Sequence, residues 1–167
     1  AGLHCGDDPW ARAATAWITG SDVLDSMRKW STRVWVFRDE ADSIVGFASL
    51  GPTRRRWPPP SGEYVSLLII PQLGIDIRFR GQPPDREWRY ANQIMRHVIF
   101  EAQDWASEAR RTKPNKGHFD LLMLQVHRDN HAARRLYERF GFAIVPSFEC
   151  NSHFVMSRTL SIVDEQT

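Results

Sequence analysis

The stretch LQVHRDNHAARRLYERFGF, Leu124 to Phe142, passes from strand character to helix character within a few residues, and the rest of the chain is organised around it. It continues the apolar run Phe119-Asp-Leu-Leu-Met-Leu-Gln-Val126, which reads as a strand. Asn130 then suits a helix N-cap, because its side-chain oxygen can accept a hydrogen bond from a free amide of the first turn. Residues 130–140 read as a short helix, and Gly141 suits the C-terminal cap.

Upstream lies the longest helical pattern. Tyr90, Ala91, Ile94, Met95, Val98, Ile99, Ala102, Trp105, Ala106 and Ala109 recur at three- and four-residue steps. Residues 110–118 are basic, contain Pro114 and Gly117, and read as a loop. Before the long helix, Tyr64 to Ile70 is an apolar strand, and Leu73-Gly-Ile-Asp-Ile77 follows a break at Pro71. Asp76 alternates with Ile75 and Ile77, so it is expected on the opposite sheet face from them. Further upstream, Arg33–Phe37 and Ile44–Leu50 flank a polar turn and read as a hairpin ended by Gly51-Pro52. Arg54-Arg-Arg-Trp-Pro-Pro-Pro60 then reads as a stiff surface loop, since its prolines lack N–H donors.

The first residues predict two helices. Asp7 and Asp8 before Pro9 are a helix-start signature, with Trp10, Ala13, Ala14 and Trp17 on one face and Gly20 as the stop. Ser21 can cap a second helix whose stripe is Val23, Leu24, Met27 and Trp30. Phe142–Val145 and His153–Leu160 are closing strands. This order of elements predicts a mixed α/β structure around one core.

Composition narrows the function. At 167 residues, 42% hydrophobic and 25% charged, the chain reads as a single soluble domain spanning residues 1–167. A net charge of +2 excludes a polyanion binder held by bulk charge, though local basic clusters remain. No apolar run reaches the length of a membrane span, and no signal peptide is expected. Cys5 and Cys150 cannot form a zinc cage or a disulfide framework, so a reducing cytoplasm is the simplest location. The six histidines show no metal spacing, and no metal is expected.

The Leu124–Phe142 stretch resembles the GCN5-related N-acetyltransferase (GNAT) superfamily, whose pattern has a strand ending in Val, an Asn, Ala, Leu-Tyr-Glu and Gly-Phe. Gln72-Leu-Gly-Ile-Asp-Ile-Arg-Phe-Arg-Gly-Gln82 is similar to that superfamily's fourth strand and the start of its pyrophosphate loop. Leu3-His-Cys-Gly6 is similar to the opening of toxin-type acetyltransferases from bacterial toxin–antitoxin pairs. The resemblance implies a mixed, mostly antiparallel central sheet flanked by helices, with splayed central strands. It implies an acetyl-CoA-dependent N-acetyltransferase that moves an acetyl group to a primary amine by direct attack in a ternary complex.

The residue roles follow from the same resemblance. Backbone groups of Leu73, Gly74 and Ile75 would contact acetyl-CoA, where a carbonyl turning into an oxyanion needs N–H donors. Tyr137 occupies the general-acid position, where a phenol can return a proton to the leaving thiolate. The alternative for Tyr137 is a core residue with its hydroxyl at the rim. Asn130 is either a helix cap, a hydrogen-bonding partner of the pantetheine arm, or both. Arg80, Gly81 and Gln82 would cradle a phosphate, with a helix N-terminus behind them. Here the sequence departs from the family: Pro83-Pro84-Asp85 replaces expected glycines, deletes donors and adds a charge, and Asp85 would itself cap the helix. A short insertion near Pro83 to Trp88 displaces the helix start.

No general base stands out among Glu63, Asp76, Glu149 and His127. The acceptor is an amine, carried either by a small molecule or by an aminoacyl-tRNA. The Cys5-Gly6 opening, Arg54–Arg56 with Trp57 and the basic stretch 110–116 point to tRNA, although a solvated loop is the commoner meaning of such basic runs. A homodimer is a further candidate assembly. The competing reading is a binding module on an acetyltransferase scaffold that has lost productive acetyl-CoA binding.

Overall fold

A computed structural model of the chain describes residues 2–85, 87–113, 118–146 and 152–160. Among them are helices α1 (Pro9–Thr19), α2 (Asp22–Trp30), α3 (Tyr90–Thr112) and α4 (His131–Arg139). The strands are β1 (Arg33–Arg38), β2 (Ile44–Trp57), β3 (Glu63–Ile70), β4 (Leu73–Ile75), β5 (Leu121–His127), β6 (Ala143–Ile144) and β7 (His153–Thr159). They form a mixed, mostly antiparallel seven-stranded sheet in the order β1-β2-β3-β5-β7-β6, with β4 paired to β2 off that path. The chain gathers into two compact units, residues 1–51 with 70–98 and residues 52–69 with 99–167.

In the first unit, α1 begins at Pro9 with Asp8 in the cap position, though the Asp8 side chain makes no cap hydrogen bond. Its inward face carries Ala11 and Ala14, with Trp10, Trp17 and Ile18 beside them; Ala13 is exposed. Trp17 stacks on Phe47 with ring centroids 5.9 Å apart. Leu3 and Cys5 complete this cluster. On α2, Val23 is buried while Leu24 and Met27 of the expected stripe are exposed. β1 and β2 pair antiparallel from Arg33↔Leu50 to Arg38↔Ile44, with a register shift at Phe37/Arg38.

One expectation fails at β2. The strand does not end at Gly51-Pro52 but runs on through Arg54–Arg56 to Trp57. The physical reason lies in the pairing. β1 reaches only as far as Leu50, so from Gly51 onward β2 has no β1 neighbour and Pro52 withholds a donor no β1 residue needs. The strand stops at Trp57, immediately before three consecutive prolines. The long helix likewise runs past the expected loop start, to Thr112.

The second unit holds β5, β7 and β6. β5 and β7 pair antiparallel along their whole lengths, Leu121↔Thr159 to His127↔His153. Leu67, Met123, Val145 and Val155 form its core, with Trp57, Val65, Ile69 and Leu121 packed against them. Arg158 ties β7 to the end of α4, donating through Nη1 to the Phe140 carbonyl at 2.7 Å.

Candidate active site

β4 is three residues long and owes its position to two glycines. Gly74 pairs with Phe47 and Gly46 with Ile75. A Cβ at Gly46 would stand 2.5 Å from the Gly74 carbonyl oxygen, so the strands approach too closely for any side chain there. The ladder alternates. Ser49 N–H donates to the Gln72 carbonyl at 2.9 Å and Asp76 N–H to the Val45 carbonyl at 3.0 Å. Gln72, Gly74 and Asp76 therefore turn their backbone groups towards β2. Leu73 and Ile75 turn theirs to the other edge, where no strand pairs with β4 among the described residues. Two successive outward amides on an unpaired edge are donors for a ligand carbonyl.

Beyond β4 the chain is strapped to its own N-terminal segment. Asp76 is fully buried rather than alternating in a strand; it caps the 3₁₀ turn Ile77–Phe79. Its carboxylate accepts from His4 N–H at 2.9 Å, Arg78 N–H at 3.0 Å and both arms of the Arg78 fork at 2.8 and 3.0 Å. The Arg78 hydrogen bonds, against the opposing effect of burial, hold its pKa down at about 2. It is thus a structural anion and is unfit to be a base at neutral pH. Ile77 N–H donates to the His4 carbonyl at 2.8 Å, and Arg80 donates to the Cys5 carbonyl. Burial raises the Cys5 thiol above its ordinary pKa, so it stays protonated.

The turn that follows places Gly81 with φ +75 and open space around it. Gln82 and Arg80 are both exposed. The Gln82 carbonyl accepts from Tyr90 N–H at 2.9 Å, occupying the first amide of α3. Residues 83–89 intervene before α3 begins. Asp85 does not cap that helix; its carboxylate accepts from Glu87 N–H at 2.9 Å, five residues before Tyr90.

In the second unit, Asn130 does cap α4: its Oδ1 accepts from Ala133 N–H at 3.2 Å. The side-chain NH₂ forms no bond with the described residues. Gly141 ends the helix at φ +79, a conformation in which a Cβ would be strained. Leu136 and Tyr137 are the buried residues of α4. The Tyr137 ring tilts against Phe142 at 6.1 Å, and desolvation pushes its phenol up to about 12. No described residue hydrogen-bonds that hydroxyl. Arg134 pairs with Glu138 at 3.5 Å, and Arg135 is exposed.

The remaining base candidates separate cleanly. Glu63 is exposed on β3. His127 is partly buried, its Nδ1 accepting from Asp129 N–H at 3.2 Å, and its ring meets His153 edge-on at 5.2 Å. Glu149 and Cys150 lie outside the described residues. Among those described, no cluster of three or more His, Cys, Asp or Glu could hold a metal, and no helix is long and apolar enough to cross a membrane.

Set beside solved structures, the chain has the fold of the GCN5-related N-acetyltransferases. The toxin AtaT, as a Tyr-to-Phe variant bound to acetyl-CoA and the C-terminus of the antitoxin AtaR, matches with a TM-score of 0.64 at 13% identity, over 95% of this chain and 83% of that one. AtaT complexed with acetyl-methionyl-tRNAfMet matches at 0.63 and 15% identity, over 94% and 85%. A KacTA–DNA complex matches at 0.62 and 15% identity, over 96% and 84%. No protein-family model and no curated protein matches the sequence.

Proposed function

We propose that the protein is an acetyl-CoA-dependent N-acetyltransferase acting on a primary amine. The observation that carries this reading is the buried Tyr137 phenol, which has no acceptor among the described residues, on a fold whose solved neighbours include acetyl-CoA complexes. Acetyl-CoA supplies an acyl group activated as a thioester. The outward amides of Leu73 and Ile75 donate to the carbonyl oxygen as negative charge builds on it. Tyr137 gives its proton to the sulfur as the C–S bond breaks, and solvent restores that proton. The neutral amine forms the new C–N bond and releases its own proton to water. Gly74 serves by letting β4 lie close to β2, and Asn130 offers its free NH₂ to an amide of the cofactor arm. Arg80, Gly81 and Gln82 supply a phosphate turn.

AtaT bound to acetyl-methionyl-tRNAfMet makes aminoacyl-tRNA one acceptor worth testing here, beside small amines. One feature favours the binding-module reading: the Gln82 carbonyl holds the first amide of α3, removing a donor that a pyrophosphate would use.

Calorimetric titration with acetyl-CoA decides between the two. The enzyme reading expects saturable binding, followed by release of free CoA thiol in the presence of an amine panel that includes aminoacyl-tRNA. Absence of both heat and thermal shift would leave the binding module standing. A tRNA acceptor further requires affinity that falls steeply with salt.

A further inference from the structure

The second unit contains a cavity of about 530 Å³ that none of the residues assigned to acetyl-CoA lines. It opens where the end of β2, the start of β3 and the residues leading into β5 come together; Arg54, Trp57, Tyr64, Ser66, His118 and Asp120 form its polar and aromatic wall. None of the residues lining it belongs to α4.

The wall has a definite chemistry. Asp120 is neutralised by Arg110, whose guanidinium donates to it. Arg54 is exposed and forms no ion pair with a described residue, so the cavity carries one uncompensated positive charge. Ser66 forms no side-chain hydrogen bond with a described residue. The Nδ1 atom of His118 is shut from water and has no partner among the described residues, a deficit that a ring flip towards a ligand oxygen would remove. Two aromatic rings supply flat apolar surface. Tyr64 is kept in place from outside by Arg56, whose guanidinium lies 4.8 Å from the ring centroid and donates to the Gly62 carbonyl at 3.2 Å.

We propose that this cavity binds a mononucleotide: a planar base against Trp57 and Tyr64, and a phosphate on Arg54, His118 and Ser66. The volume lies within the range of small-molecule sites. Stacking alone would accept any ring, and Arg54 alone any anion; the conjunction of the two selects a ring that carries a phosphate. The inference is independent of acetyl transfer.

The test is a titration of the full chain with AMP, adenosine and inorganic phosphate, read by calorimetry and by quenching of tryptophan fluorescence. AMP is expected to bind with a dissociation constant below 1 mM, and adenosine and phosphate each at least tenfold more weakly. Arg54→Gln should weaken AMP at least tenfold, and Trp57→Leu at least threefold, with acetyl-CoA titration unchanged in both. Arg54 is exposed, so its variant should fold, and an unshifted melting temperature verifies this. No AMP binding up to 10 mM, or affinity unchanged in a folded Arg54→Gln, overturns the proposal. So does competition between AMP and acetyl-CoA for a single site.

Discussion

Gly74 faces Phe47 so closely that a Cβ built on it would lie 2.5 Å from the ring's Cε1 and 2.8 Å from the Cys5 sulfur. The Phe47 ring is fully buried and stacked on Trp17, so it has nowhere to retreat. Gly74→Ala should therefore destabilise the fold by about 3 kcal/mol, an overpacking effect. That corresponds to a melting temperature lower by about 6–12 °C. A variant that melts with the parent would mean that β4 does not sit against Phe47.

Tyr137→Phe removes a hydroxyl that bonds no described residue. Its melting temperature should stay close to the parent's, and acetyl-CoA affinity should change less than about twofold. Turnover should fall about a hundredfold or more, the range for a lost general acid. An unchanged turnover would take the phenol out of the reaction.

The pH profile tests the same group differently. Burial holds the phenol at about 12, so it remains a proton donor throughout pH 7 to 10. The rate should rise as the acceptor amine loses its proton, then stay level to pH 10. A fall centred between pH 8 and 10 in the parent, absent from Tyr137→Phe, would contradict this. The raised value also means that folded-state stability declines as pH rises from about 10 towards 12.

Asp76 predicts acid sensitivity. Its native pKa, about 2, lies below the ordinary 3.8, so the unfolded chain takes up the proton first as pH falls. The stabilisation, about 2 kcal/mol for this fully buried carboxylate, is complete above pH 4 and lost by about pH 2. Asp76→Asn should flatten the stability curve over that window, measured by urea unfolding at successive pH values. It should also lower stability at pH 7, since Arg78 and His4 N–H lose a charged acceptor.

Asn130 allows cap and ligand roles to be separated. Asn130→Asp keeps an oxygen for Ala133 N–H but removes the NH₂ donor. Its melting temperature should be unchanged, while the acetyl-CoA dissociation constant rises about fivefold or more, as expected for a lost hydrogen bond. Asn130→Ala should lose both, with about 1 kcal/mol of stability gone with the cap. If the Asp variant binds acetyl-CoA like the parent, Asn130 is a cap alone.

Much of the architecture was legible because it rests on local rules. The strand into Asn130, the capped helix and the Gly141 stop use period, capping and backbone sterics, and each lies within a residue or two of its expected place. The long helix was readable from its stripe alone. The end of β2 was not: whether Pro52 breaks a strand depends on which neighbour stands beside it, and that neighbour is β1, some twenty residues earlier. Asp76 was misplaced for a similar reason. Its partners include His4, 72 residues away, and no local pattern announces such a contact. The cavity beside Trp57 follows from the same β2 extension; as a free loop, Arg54 and Trp57 would have no fixed wall.

The amino-acid sequence by itself determined the order of helices and strands and the residue types available for acyl transfer, since periodicity, caps and turn chemistry act over a few neighbours. Only the tertiary structure decided which backbone amides of β4 turn away from β2, that Asp76 is an anchored anion, and that Tyr137 is buried. Those properties are set by burial and by partners distant along the chain, which a linear pattern does not encode.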